Sequence, residues 1–266
     1  MCGRYAASAS ADRLVEIFEI DEVPDRPEVR GLTPRWNIAP SQEVPAVIER
    51  TDRASGEVVR TLSAPRWGLV PSWSRDPASG PRMINARAET VAEKPSFRRA
   101  FARRRCLIPA DGYYEWYALM APDGTPVLRH GRAVKQPFWI HPLARPDEPD
   151  LMVMAGIYEF WRDRSRPDDA LDAWLTTCSI ITTSATDSLG LIHDRMPMQV
   201  RRADWAAWLD PQLTDPLAAH DLLHAPASDE MAAHAVSTRV NNVAHEGPDL
   251  IAAVPGPDLM SGRDPR

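Results

Sequence analysis

Lysine is nearly missing from this chain. Of 31 basic residues only Lys94 and Lys135 are lysines, so positive charge is almost entirely guanidinium, the group suited to bidentate phosphate contacts; a GC-rich genome produces the same bias. Cysteine is scarce as well. Cys2, Cys106 and Cys178 lack CxxC spacing, which argues against a disulfide framework and a structural zinc and for a reducing compartment. No apolar run approaches a membrane span, and no basic segment followed by an apolar one opens the chain. Membrane insertion and secretion are therefore not expected, and the location expected is the cytoplasm, close to the nucleoid in a bacterium. A surplus of positive charge is lacking too: the net charge of −6 excludes indiscriminate coating of nucleic acid but allows a local basic face. Neither an internal repeat nor a dividing linker is present.

What is present suffices for a real core: 266 residues, 44% hydrophobic. "SADRLVEIFEI" (10–20) sets Leu14, Val15, Ile17 and Phe18 on one helical face. "KPSFRRAFARRR" (94–105), "ADWAAWL" (203–209) and the stretch from Asp215 to His224 also read as helices. Between them lie short strand-like runs, among them "EVPAVIE", "EVVRTLS", "CLIPA", "GYYEWY", "QPFWIHP", "LMVMAGIYEF", "AWLTTCSIITTSA" and a last strand, "AHAVSTRVNN". The acidic segments 144–150 and 162–169 read as solvated loops. The simplest account is one domain over residues 1–254, followed by a disordered tail over 255–266.

The opening "MCGRYAA" carries the first chemical signal. Removal of Met1, usual before a small residue, would leave Cys2 with both an α-amine and a thiol. That amine, with a reference pKa near 7.7 to 8.0, is neutral in roughly a tenth to a fifth of molecules at pH 7. Such an aminothiol attacks an aldehyde through nitrogen and closes through sulfur to a thiazolidine. Four further stretches offer polar groups. "MINARAET" (83–90) places Asn85, Arg87 and Glu89 at alternate positions, hence on one side of an extended backbone. "PADGYYEW" (109–116) sets Glu115 among aromatics, where an apolar surround raises a carboxyl pKa; a surface cross-strand pair is the plain alternative. "LIHDRMP" (191–197) puts His193 in a short loop, a residue type more often structural than catalytic. In "RWNIAPSQ" (35–42) and "RWGLVPSWSRD" (66–76), Trp36 and Trp67 read as core, whereas the polar context of Trp73 suits stacking on a base.

In order, "MCGRY", "WNIAP", "WGLVPSW", "INARAET", "CLIPADGYYEW", "TTSA", "IHDRMP", "VSTRVNN" and "EGPDLI" resemble the motifs of the SRAP family, named for SOS response-associated peptidase, over about residues 2 to 254. The resemblance implies an α+β fold: a single SRAP-type domain with a curved, barrel-like, largely antiparallel β core and peripheral helices. It also implies a groove for single-stranded DNA containing abasic sites, and covalent capture of the ring-opened aldehyde by Cys2. By the same resemblance Asn85 positions the amine and the sugar, Glu115 shuttles protons, and His193 assists Schiff-base formation, ring opening and reversal. Arg87 and Arg195 resemble phosphate-binding arginines, with Arg4 a third candidate; Trp73 and Pro40 wedge or stack at the lesion; Asn37 and Thr183 brace the pocket. No metal or other cofactor is expected. Replication-fork proteins are expected as further partners, the chain itself being a monomer, with lyase and autopeptidase activities as side reactions. Two departures stand out: Ser74 replaces a second aromatic, and Ala118 to Gln136 forms a longer connection than usual, read as an extended hairpin. Competing readings are an N-terminal-nucleophile amidotransferase or peptidase, in which the Cys2 thiolate attacks a carboxamide, and a passive single-strand binder.

Overall fold

The computed structural model describes residues 2–257 and 259, apart from 53, 145–148, 168–169, 171–172 and 186. In chain order the strands are β1 (Tyr5–Ala7), β2 (Arg35–Ile38), β3 (Ala46–Thr51), β4 (Val58–Ser63), β5 (Arg66–Trp67), β6 (Asn85–Arg87), β7 (Arg105–Ala110), β8 (Gly112–Ala118), β9 (Leu128–Arg129), β10 (Arg132–Ala133), β11 (Lys135–Pro142), β12 (Met152–Arg162), β13 (Trp174–Ser184), β14 (Arg195–Pro197) and β15 (Met231–Ala235). The helices are α1 (Ala11–Phe18), α2 (Pro27–Arg30), α3 (Arg98–Arg103), α4 (Asp187–Ile192), α5 (Trp205–Leu209) and α6 (Pro216–Asp221).

Two sheets form. The smaller has the order β15-β11-β8-β1-β2; the larger runs β14-β13-β12-β7-β3-β4, with β5 and β6 joining β13. Every pairing is antiparallel except β5 and β6 on β13. The α+β class with a largely antiparallel core is thus as expected, but the sheets are open: β2, β4, β14 and β15 each have a single partner strand. The expected barrel-like closure is corrected to two layers facing each other. Asp111 alone separates β7 of one sheet from β8 of the other. Gly112 is required there, since a Cβ would overlap the Ile140 carbonyl and the Trp139 ring.

Strand alternation assigns the layers. Ile108 on β7, Tyr113 on β8 and Phe138 and Ile140 on β11 point between the sheets, where they meet Met154, Tyr158, Cys178 and Cys2. Their neighbours Leu107 and Val153 face outward and are covered by Leu14 and Phe18 of α1, Phe101 of α3 and Trp205 and Trp208 of α5. On the far side Tyr114 and Trp139 pack beneath Val236 and Val240. The middle strands are buried on both faces, which is why "CLIPA" reads as a continuous apolar run.

Local signals place the helix ends. Ser10 caps α1 by accepting a hydrogen bond from the Arg13 amide, and Glu19 closes it in the left-handed region. The helix expected over 94–105 is confined to α3, its approach being a series of turns on the Thr90 and Lys94 carbonyls. The last expected strand stops at Ala235; the Ser237 hydroxyl accepts from Arg239 N–H and starts a 3-10 turn over Thr238–Asn241. Leu259, inside the segment expected as a tail, is buried against the inter-sheet cluster, while 258 and 260–266 lie outside the described residues, as does the centre of the acidic segment 144–150.

Candidate functional site

Cys2 sits just before β1, wholly buried between the sheets with Tyr5, Trp67 and Tyr113 in the same cluster. Its carbonyl accepts a 2.8 Å hydrogen bond from Asn85 Nδ2 on β6. Asn85 Oδ1 is buried and accepts no hydrogen bond from the described residues, so an acceptor is directed into the site beside Cys2. Burial, reinforced by the charge of Glu115, pushes the Cys2 thiol well above its ordinary pKa.

Glu115 projects from the middle of β8, opposite Phe138, and is 3% exposed. Loss of water raises its pKa from 4.5 to about 7. His193 follows α4 and lies with Nε2 3.9 Å from Glu115 Oε2. Its Nδ1 accepts from the Arg195 amide at 3.1 Å and lies 2.8 Å from exposed Asp194 Oδ1. Burial lowers the His193 pKa, and the imidazole stands beside a carboxyl whose pKa is raised to about 7.

The two sheets thus bring Cys2, Asn85, Glu115 and His193 together across more than 190 positions of chain. Beside them, β6 and β14 flank the end of β13: Arg87 is paired with Thr182 on one edge, and Arg195 with Ser184 on the other. Arg87 is exposed and makes no ion pair among the described residues. Arg195 is not free in this way. Its guanidinium grips Glu89 through Nη1–Oε1 at 2.7 Å and Nη2–Oε2 at 3.0 Å, and donates to the Thr182 carbonyl at 2.6 Å. That pairing lowers the Glu89 pKa to about 2. Thr183 donates to the same carboxylate at 3.3 Å. The expected single face of Asn85, Arg87 and Glu89 breaks after Arg87, where Ala88–Thr90 turn into a 3-10 helix; Glu89 then closes on Arg195, a contact no local spacing encodes.

Trp73 is 62% exposed in a turn held by Ser74, whose amide donates to Pro71 and whose carbonyl accepts from Trp161 Nε1. Pro40 is half-buried, next to Ser41 in the left-handed region. Trp67 is core, as expected. Arg4 and Asn37 belong elsewhere, to the outer layer of the smaller sheet. Asn37 donates to the carbonyls of Asn242 and His245 and accepts from Arg4 Nη1 at 2.7 Å; Arg4 also binds the Val240 carbonyl and lies over Trp116. These bonds anchor the "STRVNN" turn.

Among the described residues no group of three His, Cys, Asp or Glu side chains is placed to hold a metal ion, and no helix is long and apolar enough to cross a membrane. The profile of the SRAP family, described as SOS response associated peptidase, matches residues 1–243. The abasic site processing protein YoqW of Bacillus subtilis is 36% identical to this chain, covering 94% of it and 99% of the relative. The abasic site processing protein HMCES of Gallus gallus is 31% identical over 96% of this chain and 78% of its own length. A crystal structure of a protein from Bacteroides thetaiotaomicron superposes with a TM-score of 0.71 at 26% identity, covering 95% of this chain and all of that one. With the motifs in order, the fold shared and the match spanning nearly its whole length, the chain belongs to the SRAP family.

Proposed function

We propose that this protein processes abasic sites in single-stranded DNA by capturing the ring-opened aldehyde on Cys2 once Met1 has been removed. The observation that carries this reading is the fixing of residue 2, by the Asn85 bond to its carbonyl, beside a carboxyl held near neutrality. Names of relatives at 36% and 31% identity agree with it.

The chemistry follows from the residues. With Met1 attached the Cys2 nitrogen is an amide; released, it is an amine. Glu115 as carboxylate takes a proton from the ammonium form, and the free amine adds to the aldehyde carbon to give a carbinolamine. Glu115, now an acid, returns the proton to the carbinolamine hydroxyl, which departs as water and leaves an iminium. The Cys2 thiol then adds to that carbon and gives up its proton to the carboxylate, closing a thiazolidine with one water released overall. A pKa near 7 suits both directions of this transfer, and positioned acid–base groups give about 10² to 10⁴ in rate. His193 relays protons to and from Glu115, and Asn85 Oδ1 accepts from the amine or a sugar hydroxyl. Arg87 supplies a phosphate contact and Trp73 a stacking surface at the lesion, with Pro40 as the adjoining wedge. Arg195 joins as a second phosphate ligand if DNA displaces Glu89.

Lyase chemistry shares the iminium, which acidifies the neighbouring sugar proton; ring closure by sulfur removes that species, so strand cleavage is the reaction expected when the thiol is missing. An autopeptidase step would free Cys2 of what precedes it. Intact mass and denaturing electrophoresis of the protein with an abasic oligonucleotide test the proposal. The wild type should lack Met1 and yield an adduct heavier by the oligonucleotide less one water; Cys2→Ala should yield none. An equally stable adduct on Cys2→Ala would defeat it.

A further inference from the structure

The connection between β8 and β11 folds into an arm whose design the chemistry at Cys2 does not use. β9 and β10 are joined by His130 and Gly131, both with positive φ (51° and 74°), the two-residue turn in which Asn-Gly is the common choice. Register places Arg129 directly opposite Arg132. Side chains so paired lie about 5 Å apart, and like charges there destabilise a hairpin. Neither arginine, nor Lys135 at the root, makes an ion pair among the described residues, and the arm's one carboxylate, Asp123, is bonded to Thr125 in its own turn. Arg129, His130, Arg132, Ala133 and Val134 line an open concavity of about 520 Å³. A protein with net charge −6 thus holds two guanidiniums and an imidazole together at an exposed tip. An anion seated between the arginines would offset that repulsion.

The arm is also aimed from the site. Leu119 N–H bonds to Val134 O and Val134 N–H to Val127 O, so Val134 joins the β9–β10 hairpin to the outer end of β11. Phe138, opposite Glu115, and Arg132 are six residues apart along the chain, a reach of at most about 20 Å at 3.3–3.4 Å per residue. At 3.4 Å per nucleotide this is roughly six nucleotides along a duplex-like strand and fewer along a stretched one.

We infer that the Arg129–Arg132 pair is a second phosphate clamp, gripping the DNA backbone several nucleotides from the captured lesion. The inference rests on abasic DNA being the substrate.

Binding of oligonucleotides carrying an abasic analogue without an aldehyde, and adduct formation with true abasic ones, decide the matter. The double variant Arg129→Ala/Arg132→Ala should bind a strand of about ten nucleotides on each side some tenfold more weakly at low salt, with the slope of log Kd against log salt reduced by about 1.4, two phosphates at 0.7 each. A strand of about two nucleotides on each side, too short to reach the tip, should bind both proteins alike. Adduct formation on the short strand should be unchanged. Arg129→Lys/Arg132→Lys should keep the salt slope, and Arg13→Ala, a charge lost elsewhere on the surface, should not imitate the double variant's length dependence. Unchanged affinity for the long strand overturns the clamp and leaves the tip to an acidic protein surface. An equal loss on short and long strands overturns it as well, because the charge would then act at the lesion. Failure of the wild type to form any adduct refutes the proposed function instead, and is distinguishable because length-dependent binding is measured without the aldehyde.

Discussion

Replacing Glu115 by glutamine should make the protein more stable in base and slower at its chemistry. The side chain is 4% exposed, and burial raises its pKa from 4.5 to about 7. Between those values the native state keeps a proton that the unfolded chain has released, so the equilibrium moves toward unfolding as the pH rises. Below pH 4.5 both states hold the proton and the penalty is absent; above about 7 it is complete. At about 1.4 kcal/mol per tenfold change in proton affinity, the whole effect is about 3 kcal/mol. Glutamine has nearly the same shape and no charge to desolvate, so it removes the penalty. Urea unfolding of both proteins from about pH 4.5 to about pH 8.5 should give curves that meet in acid and part in base, with Glu115→Gln more stable by about 3 kcal/mol at the upper end. His193 titrates in both proteins, and its lowered pKa costs stability on the acid side in each. The adduct-forming rate of Glu115→Gln should fall by about 10² or more, with binding retained. A stability difference independent of pH, or one that grows toward acid, would refute the assignment of a desolvated carboxyl at this position.

Asn85→Ala removes the 2.8 Å bond that fixes the Cys2 carbonyl; adduct formation should slow about 10²-fold while urea unfolding shows a loss of about 1 kcal/mol. Trp73→Ala removes a ring that is 62% exposed; fluorescence anisotropy should show single-strand affinity falling by about 1 to 3 kcal/mol, with stability changing by less than about 0.5 kcal/mol. Glu89→Gln releases Arg195 from its carboxylate clamp; DNA binding should tighten, and its salt slope should steepen by about 0.7 for the phosphate newly engaged.

The candidate site was legible in sequence through the ordered motifs that resemble the SRAP family; taken singly, the frames around Asn85, Glu115 and His193 were weak, and only Cys2 directly after the initiator carried a chemical argument of its own. Strand and helix periodicity likewise revealed the α+β class and the faces of α1 and α5, since burial on one side of a local element is written at fixed spacing. The hairpin was visible as a connection, Ala118 to Gln136, longer than is usual in the family it resembles. Spacing could not show what lies opposite. That Arg4 meets Asn37 and the Val240 carbonyl, that Glu89 holds Arg195, that Arg129 faces Arg132, and that the sheets stay open all depend on strand register and layer packing. Those contacts join residues as much as 236 positions apart, and the pKa of Glu115 exists only once both sheets have closed over it. Local sequence determined which groups this protein carries and which way each strand turns them. The tertiary structure alone decided which become neighbours and which lose their water, because both are properties of the packed interior, where chain separation no longer sets distance.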